Sequence, residues 1–465
     1  MGASQPSPTR VLAIASVASF LVYLDVTVVN IAFPDIEDEF PGTTRGELAW
    51  VFAAYNIAFA ALLIPGGRIA DRFGRRRLFL IGIVGFALAS AACAAAPSAE
   101  ALIAARVMQA VAGALLIPAS QGLVLAAYDL RSRTKAMSLW VAAGAVAAAM
   151  GPPLGGIIVE IGGWRWVFLL NLPIAAAVVV LSLRGLSESR EASVRRLPDP
   201  LGILLAAAAV ASLVLAIVQG EEWGWGSPAV IGSFAAAALL APLFVARARS
   251  SEAPAVDLSL FSSRTFSLAN LASVLIGAAF YGQLFAVVLF LTTVWGYGPI
   301  EAGLALAPAP LAAALVAGLA GRRAQPSALP ALAALGAGLF AAGAIWLRVG
   351  VDGSPAYLTE LLLPTILIGA GGGLAVSLLA SAAAQVLSAD SFAVGGAVNS
   401  ATRQIGAALG IAVAVALIGV PDAEHAVEAF AEAWLGIAVF ALAALAATLA
   451  IGRDLRGGSA PEAVN

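Results

Sequence analysis

Three ionisable side chains stand inside stretches that are otherwise lipid-soluble: Asp25 in "LVYLDVTVVNIAF", Arg106 in "LIAARVMQAVAG" and Arg403 in "VNSATRQIGAALGI". A charged group at the centre of a membrane costs about 3 kcal/mol or more, and acids retained there commonly mark proton or substrate paths. Desolvation favours the protonated form of a carboxyl group, and a nearby cation favours the ionised form. A site balanced between the two can load and release a proton, so Asp25 and Arg106 are predicted to be proton-coupling residues.

Depth in the membrane is compatible with contact between this acid and this base. With a rise of about 1.5 Å per residue, Asp25 lies roughly 12 Å and Arg106 roughly 8 Å from the outer end of its span. The alternative is a pair that neutralises itself and fixes helix packing, but buried ion pairs seldom repay their desolvation. Arg403 either lines the same cavity from the second half or snorkels toward the inner interface.

Polar side chains on the same spans predict a wet central cavity lined largely by apolar and aromatic groups. Each alone is more often an interhelical hydrogen bond than a ligand contact. Together with Arg403, the predicted cavity residues are Tyr23, Thr27, Asn30, Tyr55, Asn56, Gln109, Tyr281, Gln283 and Asn399.

Membrane helices are the elements that must position these groups. The 465 residues are 61% hydrophobic and 11% charged, with a mean hydropathy of +0.96, whereas soluble domains carry roughly 25% charged residues. A span needs about 20 apolar residues, which predicts an all-α polytopic membrane protein. The fourteen predicted spans are 11–33, 47–66, 78–96, 101–125, 136–159, 164–184, 200–219, 228–247, 266–292, 299–320, 328–348, 357–384, 393–419 and 433–452.

Scarce residue types exclude several classes of site. Cys93, His425 and Lys135 are each the one residue of its type, so an intrachain disulfide, a thiolate or histidine metal site and a Gly-Lys-Ser/Thr phosphate loop are not expected. The net charge of −2 gives no hint of a nucleic-acid partner. We expect no cofactor, with the proton as coupling ion; the expected partners are a small substrate and the lipid bilayer, and the chain is expected to be a monomer.

Basic residues predict the orientation of the chain. With a cytoplasmic N-terminus, twenty arginines and lysines fall on the inner side, and only Arg45, Arg165 and Arg348 fall outside. Both termini are therefore predicted to be cytoplasmic. The spans also predict a division into a six-helix bundle over 1–184, a linker with two extra helices over 185–259, and a second six-helix bundle with a short tail over 260–465.

The segment "GGRIADRFGRRRLFLIG", residues 66–82, joins the second and third spans. Attraction to an anionic leaflet explains its arginines but not Asp71 or the flanking glycines. The segment resembles the signature loop of the major facilitator superfamily, G-x-L-a-D-r-x-G-r-k, with isoleucine at the leucine position. That resemblance implies a latch between the two halves in the outward-facing state. The implied latch residues are Gly67, Asp71, Arg72, Gly74, Arg75 and Arg76.

Three further stretches carry the same resemblance. "LIAARVMQAVAG" is similar to the helix-4 motif and places Arg106 and Gln109 on its proton-coupling positions, with alanine for the usual glycine. "LDVTVVNIAFPDI" is similar to the helix-1 signature of the fourteen-helix drug:proton antiporter branch and assigns proton binding to Asp25. "AAAMGPPLGG", 147–156, is similar to the helix-5 antiporter motif, in which small residues let backbones approach and proline bends the helix. Its matching residues are Gly151, Pro152, Gly155 and Gly156.

The resemblance implies two bundles of major facilitator type and alternating-access export of amphipathic drugs or antibiotics, cationic ones included, across a bacterial cytoplasmic membrane. Two alternatives stay open. One is export of a single metabolite or lipid by the same machinery. The other is a membrane-embedded enzyme, because "DIED", 35–38, is similar to half of an aspartate-rich metal motif, although the charge distribution puts it on the outer face as a solvated loop. A receptor or scaffold would not need the helix-5 motif.

Overall fold

The computed structural model describes residues 7–129, 132–190, 197–323, 328–387, 392–420 and 424–457. Within these ranges the chain is almost wholly helical, with a 3₁₀ turn at Leu258–Ser262 and a π turn at Tyr357–Leu361. The α-helices are α1 Pro8–Ile31, α2 Phe33–Glu39, α3 Arg45–Phe73, α4 Arg75–Ala94, α5 Ala99–Ala127, α6 Arg133–Gly162, α7 Arg165–Leu169, α8 Asn171–Gly185, α9 Pro200–Val218, α10 Gly220–Trp223, α11 Pro228–Ser250, α12 Arg264–Thr293, α13 Pro299–Leu306, α14 Pro308–Arg323, α15 Leu329–Gly350, α16 Leu362–Gln385, α17 Phe392–Ile418 and α18 Ala426–Gly457.

Thirteen helical segments of the described chain are long and apolar enough to cross a membrane, or fourteen if the bent α6 is one span. The all-helical membrane architecture predicted from the composition is therefore confirmed. Span edges differ by a few residues, because terminal prolines and glycines extend or end the helices; α1, for example, begins at Pro8 and not at residue 11. Part of the predicted break at 321–327 lies outside the described residues. Cytoplasmic termini remain a prediction.

The two halves of the chain pack their helices in the same order. We call α1–α8 the N-half and α12–α18 the C-half. In the N-half α1 packs on α6, and α5 packs on both α3 and α4; in the C-half α12 packs on α17, and α16 packs on both α14 and α15. Between the halves, α3 packs on α17 and α6 packs on α13. This reciprocal pairing places one seam on each side of the molecule.

The inserted helices α9 and α11 pack on each other, and α9 also contacts α3 and α17, so the pair covers one seam. Asp199 caps α9 and accepts two hydrogen bonds from Arg247 of α11, at 2.7 and 3.0 Å. These bonds hold the pKa of the Asp199 carboxyl below its usual value. Beneath the pair lies an apolar cavity of about 240 Å³, which none of the predicted cavity residues lines.

The halves are tied together at the end of the molecule that carries the connections 32–44, 294–298 and 419–420, which we call the distal end. The rings of Phe33 and Phe52 from the N-half pack against Phe285 from the C-half, with centroids 5.0 to 6.0 Å from Phe285. Arg45 forms two hydrogen bonds with Glu37, at 2.9 and 3.1 Å, and a third with the carbonyl of Gly419 at 2.8 Å. The distal end is closed in this conformation.

Candidate proton-coupling site

Asp25 and Arg106 form a direct ion pair inside the N-half. Asp25 lies on α1 and Arg106 on α5, and each is 1% exposed. Arg106 Nη1 donates to Asp25 Oδ2 at 2.6 Å. The contact that the sequence depths allowed is therefore present, and it is direct in this structure.

Two side-chain amides complete the ligands of the carboxylate. Gln109 Nε2 and Asn171 Nδ2 both donate to Asp25 Oδ1, at 2.8 and 2.7 Å. Gln109 Oε1 in turn accepts from Arg106 Nη1 at 2.6 Å. A carboxylate that accepts three such hydrogen bonds, one of them from a guanidinium, is arranged for its ionised form. We call Asp25, Arg106, Gln109, Asn171 and Ser90 the Asp25 cage.

Ser90 of α4 forms the outer layer of this cage. Its Oγ accepts from Gln109 Nε2 at 2.8 Å and from Asn171 Nδ2 at 3.1 Å, and it donates to the carbonyl of Phe86 at 2.8 Å. Neither Ser90 nor Asn171 was predicted. Each is a neutral polar residue in an apolar segment, and such a residue usually signals only an interhelical hydrogen bond.

The guanidinium of Arg106 is also held by aromatic rings and by the backbone. Its carbon lies 4.1 Å from the ring centroid of Tyr55 and 5.8 Å from that of Phe168, within the range of cation–π attraction. Arg106 Nε donates to the carbonyl of Val51 at 3.2 Å. The cation is therefore fixed by α3, α5 and α7 as well as by Asp25.

All these ligands of Asp25 and Arg106 come from the N-half, so the acid does not open directly onto the space between the halves. Tyr55 is the nearest link, because it interacts electrostatically with Asp25 and Arg106 and also with Tyr281 of the C-half. Tyr281 interacts in the same way with Tyr23 and Arg403. Four predicted residues, Tyr23, Tyr55, Tyr281 and Arg403, therefore lie near one another, and Arg403 is partly exposed.

The other predicted cavity residues of α1 bond within their own helix. Thr27 Oγ1 donates to carbonyls of Tyr23 and Leu24 at 3.2 and 3.1 Å, and Asn30 Nδ2 donates to the Val26 carbonyl at 3.0 Å. Asn30 Oδ1 is buried without a partner among the described residues. Their role in binding cargo stays a prediction.

Other predicted cavity residues connect helices, both within the C-half and between the halves. Asn399 Nδ2 donates to Ser273 Oγ at 2.8 Å and to Asn270 Oδ1 at 3.3 Å, which ties α17 to α12. Asn56 Oδ1 accepts from Gln404 Nε2 at 3.3 Å across the two halves. In α12, Gln283 Oε1 is buried without a partner in the part of the chain that the structure describes.

The signature loop is organised around the start of α4. Asp71 and Arg75 form a 2.7 Å ion pair, and Gly74 has a φ of +114°, which suits glycine. Glu188 accepts hydrogen bonds from the N–H groups of Arg76 and Arg77, at 3.1 and 3.2 Å. An acid at this position complements the positive end of the α4 dipole.

The tightest backbone approach in this loop is one residue earlier than predicted. A Cβ on Gly66 would lie 2.2 Å from the carbonyl oxygen of Ala114, whereas one on Gly67 would lie 3.3 Å from the Pro118 side chain. Arg72 lies on the exposed face, with its guanidinium carbon 5.5 Å from the ring of Phe73. The structure therefore adds Gly66 to the glycines that matter here.

The helix-5 motif lies where α6 contacts both α1 and the C-half. The helix bends by 41° between Ala142–Ala148 and Met150–Gly162. Proline at 152 cannot bond the carbonyl four residues earlier and its ring presses on that carbonyl, which explains a bend at this point. A Cβ on Gly151 would overlap Thr27, and one on Gly155 would lie 3.3 Å from Val28.

Gly156 and Gly303 make reciprocal contacts across the seam between α6 and α13. A Cβ on Gly156 would lie 2.2 Å from the carbonyl oxygen of Pro299, and one on Gly303 would lie 2.4 Å from the carbonyl oxygen of Pro152. Since both obstacles are backbone atoms, side-chain rotation cannot make room. Glycine at these positions permits the close approach of the halves.

The acids of "DIED" lie on the short distal helix α2, and one of them forms an ion pair. Glu37 pairs with Arg45 and the following Glu39 pairs with Arg165, each at 2.9 Å. Across the described ranges, no group of three acids, histidines or cysteines is placed to hold a metal ion. Nothing in this geometry supports the enzyme alternative.

Comparison with known proteins identifies the class. The family model of the Major Facilitator Superfamily matches residues 15–411, and the chain belongs to that superfamily. A bacterial homologue of the human lysosomal transporter Spinster has the same fold, with a TM-score of 0.68 and 16% identity over 98% of this chain and 100% of that one. The chain is therefore a multi-pass membrane transporter and not an enzyme.

Sequence relatives narrow the class further. The methylenomycin A resistance protein of Bacillus subtilis (strain 168) is 33% identical over 94% of this chain and 92% of its own length. The multidrug resistance protein Stp of Mycobacterium tuberculosis is 34% identical over 85% of this chain and 73% of its own length. The cephamycin export protein CmcT of Amycolatopsis lactamdurans is 35% identical over 94% of this chain and 90% of its own length. The chain is related to drug and antibiotic efflux proteins.

Proposed function

We propose that this protein is a proton-coupled antiporter that exports amphipathic drugs or antibiotics, cationic ones included, from the bacterial cytoplasm by alternating access. The single observation that carries the proposal is the fully buried Asp25 with Arg106 and two amides as its ligands. An acid in such a place is costly to keep and is the expected mark of a proton path.

Protonation of Asp25 changes the balance of charge inside the N-half. The ionised acid neutralises Arg106, and uptake of a proton leaves the guanidinium with neutral ligands and the Tyr55 ring. Tyr55 lies between the ion pair and the C-half, so a change at Arg106 is passed to the space where cargo binds. Coupling is then indirect, since cargo need not touch the carboxyl.

The proton gradient supplies the free energy. A proton that moves inward releases about 2.3 kcal/mol per 100 mV and about 1.4 kcal/mol per pH unit. Rearrangement between conformations uses the two seams. The distal contacts of Phe285, Arg45 and Gly156 must open for release. At the opposite end, the Asp71–Arg75 pair of the signature loop joins α3 to α4 within the N-half.

The cargo class rests on three aromatic side chains that interact with one another, Tyr23, Tyr55 and Tyr281, and on the named relatives. A second candidate is export of one dedicated compound, because relatives such as the cephamycin export protein are named for a single compound. Coupling and gating residues are the same in both cases. Only the breadth of the cargo differs.

Transport by purified protein in liposomes tests the proposal. With an imposed pH gradient, flux of ethidium, puromycin, lincomycin, methylenomycin A and a cephamycin is compared for the wild type, Asp25→Asn and Asp25→Glu. Gradient-driven flux of several compounds is expected for the wild type, whereas flux of one compound would favour the dedicated exporter. Asp25→Asn is expected to abolish gradient-driven flux. Asp25→Glu keeps a titrating carboxyl and retains partial flux, which separates coupling from folding. Undiminished flux in Asp25→Asn would contradict the assignment.

A further inference from the structure

Asn171 holds an unused hydrogen-bonding atom beside the proton-binding carboxyl. Its Nδ2 donates to Asp25 Oδ1 at 2.7 Å and to Ser90 Oγ at 3.1 Å. Its Oδ1 is buried and has no partner within the described part of the chain. The residue itself is 1% exposed, so this atom does not face bulk solvent. A buried acceptor without a donor normally has a reason.

The second amide in the Asp25 cage is locked in place. Gln109 Oε1 accepts from Arg106 Nη1 at 2.6 Å, while Gln109 Nε2 donates to Asp25 at 2.8 Å. Turning this amide would set its N–H groups against the guanidinium, which has donors and no acceptor. Asn171 has no contact with Arg106 among its hydrogen bonds, so it can turn where Gln109 cannot.

We infer that Asn171 exchanges the atom it presents to Asp25 when that carboxyl gains or loses its proton. The inference rests on the proposed function. An ionised carboxylate accepts hydrogen bonds only, and Asn171 Nδ2 serves it as donor; a protonated carboxyl carries an O–H donor that needs an acceptor. A half turn of the amide brings Oδ1 to that O–H. The proton stays on Asp25, and no covalent bond changes at Asn171.

The turn also changes a link between helices. When Nδ2 leaves Asp25 it also leaves Ser90, so protonation on α1 breaks a hydrogen bond between α8 and α4. The charged or titratable groups that face Asp25 are Arg106 from α5, Tyr55 from α3 and Cys93 from α4. Among the described residues, α6 and α8 present neutral groups there. Asn171 is thus a positioning residue that reports the proton state of Asp25 to its neighbours.

Infrared titration of the purified protein in detergent tests this directly and needs no cargo. The carbonyl stretching band of protonated Asp25 is identified by its loss in Asp25→Asn. Asn171→Leu and Asn171→Ala remove both the donor and the acceptor. Each variant removes the hydrogen bond from Asn171 to the ionised carboxylate and also the one that its amide would accept from the protonated carboxyl. Because a hydrogen bond to a charged group is worth more than one between neutral groups, the ionised state loses more, and the midpoint of the Asp25 titration is expected to rise by about one pH unit. The band also moves to higher frequency, since its O–H has lost an acceptor.

Ser182→Ala is the matched control, because Ser182 is buried on the same helix and bonds only the Val178 carbonyl of its own turn. It is expected to leave midpoint and band unchanged. Thermal unfolding verifies that each variant is folded. If neither Asn171 variant moves the midpoint or the band, the inference is wrong while the proposed function stands. A titrating band that is identical in the wild type and Asp25→Asn would overturn the proposed function itself.

Discussion

Alanine at Gly156 is expected to push the halves apart at the distal end. The added Cβ would lie 2.2 Å from the Pro299 carbonyl oxygen and 2.9 Å from its carbonyl carbon, whereas a relaxed carbon–oxygen contact is roughly 3.3 Å. Relief therefore requires α6 and α13 to separate by about 1 Å. Overpacking of this kind costs typically 1–3 kcal/mol. Since the clash exists only where the halves touch, that free energy favours the distal-open state about 5- to 150-fold.

Spin-label distances between the two helices measure this effect. In a Cys93→Ala background, labels at Ile161 of α6 and Leu304 of α13 report the separation directly, since these side chains are 81% and 55% exposed. Gly156→Ala is expected to raise the share of long distances. Gly232→Ala is the matched control, because a Cβ there has no atom within 4 Å. Identical distributions for Gly156→Ala and the wild type would refute the claim that this glycine holds the distal end closed.

Three further substitutions test other contacts. Pro152→Ala restores one of the two backbone hydrogen bonds that Pro152 and Pro153 remove from α6, so it should reduce the 41° bend and lower export rates several-fold. Pro242→Ala in α11 is the control; unchanged flux and label distances would make the bend incidental. Arg45→Met removes the bonds to Glu37 and to the Gly419 carbonyl, a loss of roughly 1.4 kcal/mol. It should therefore raise the labelling of a cysteine introduced at the distal end, in a Cys93→Ala background, about tenfold; unaltered labelling would contradict a latch. Asp199→Ala should lower the Tm by about 2 °C at pH 7. The lowered pKa of Asp199 means that this loss is present above its ordinary value of 3.8 and becomes smaller as the pH falls below it; a loss of equal size at pH 7 and pH 3 would contradict this.

The sequence is informative where a residue conflicts with its surroundings. Asp25 and Arg106 are conspicuous because a charge in an apolar run is costly, and the helix-5 glycines and proline are conspicuous because they oppose regular helix. Ser90 and Asn171 are not conspicuous, since neutral polar residues are ordinary in membrane helices. Their role depends on four helices, α1, α4, α5 and α8, meeting at one point, and no local pattern encodes that meeting.

Side-chain direction is a second limit. Tyr55 was predicted as a cavity residue, and the sequence did not indicate that its ring would also lie 4.1 Å from the guanidinium carbon of Arg106. A span that is apolar all round gives little indication of which face meets which neighbour. The same reason explains why Gly67 was singled out while the closest approach is at Gly66. The break between α7 and α8 at Leu170 differs from these cases, because Pro173 in the first turn of α8 cannot bond the carbonyl of Leu169 and so marks the break in the sequence.

Proton release on binding of cargo tests the central claim most directly. Ethidium, or the compound with the highest flux in liposomes, is added to purified protein in weakly buffered detergent solution with a pH-sensitive dye. The account predicts that the wild type releases protons in proportion to bound cargo, that Asp25→Glu does so over a shifted pH range, and that Asp25→Asn binds cargo without releasing any. Equal proton release by Asp25→Asn and the wild type would contradict the claim that Asp25 carries the coupling proton.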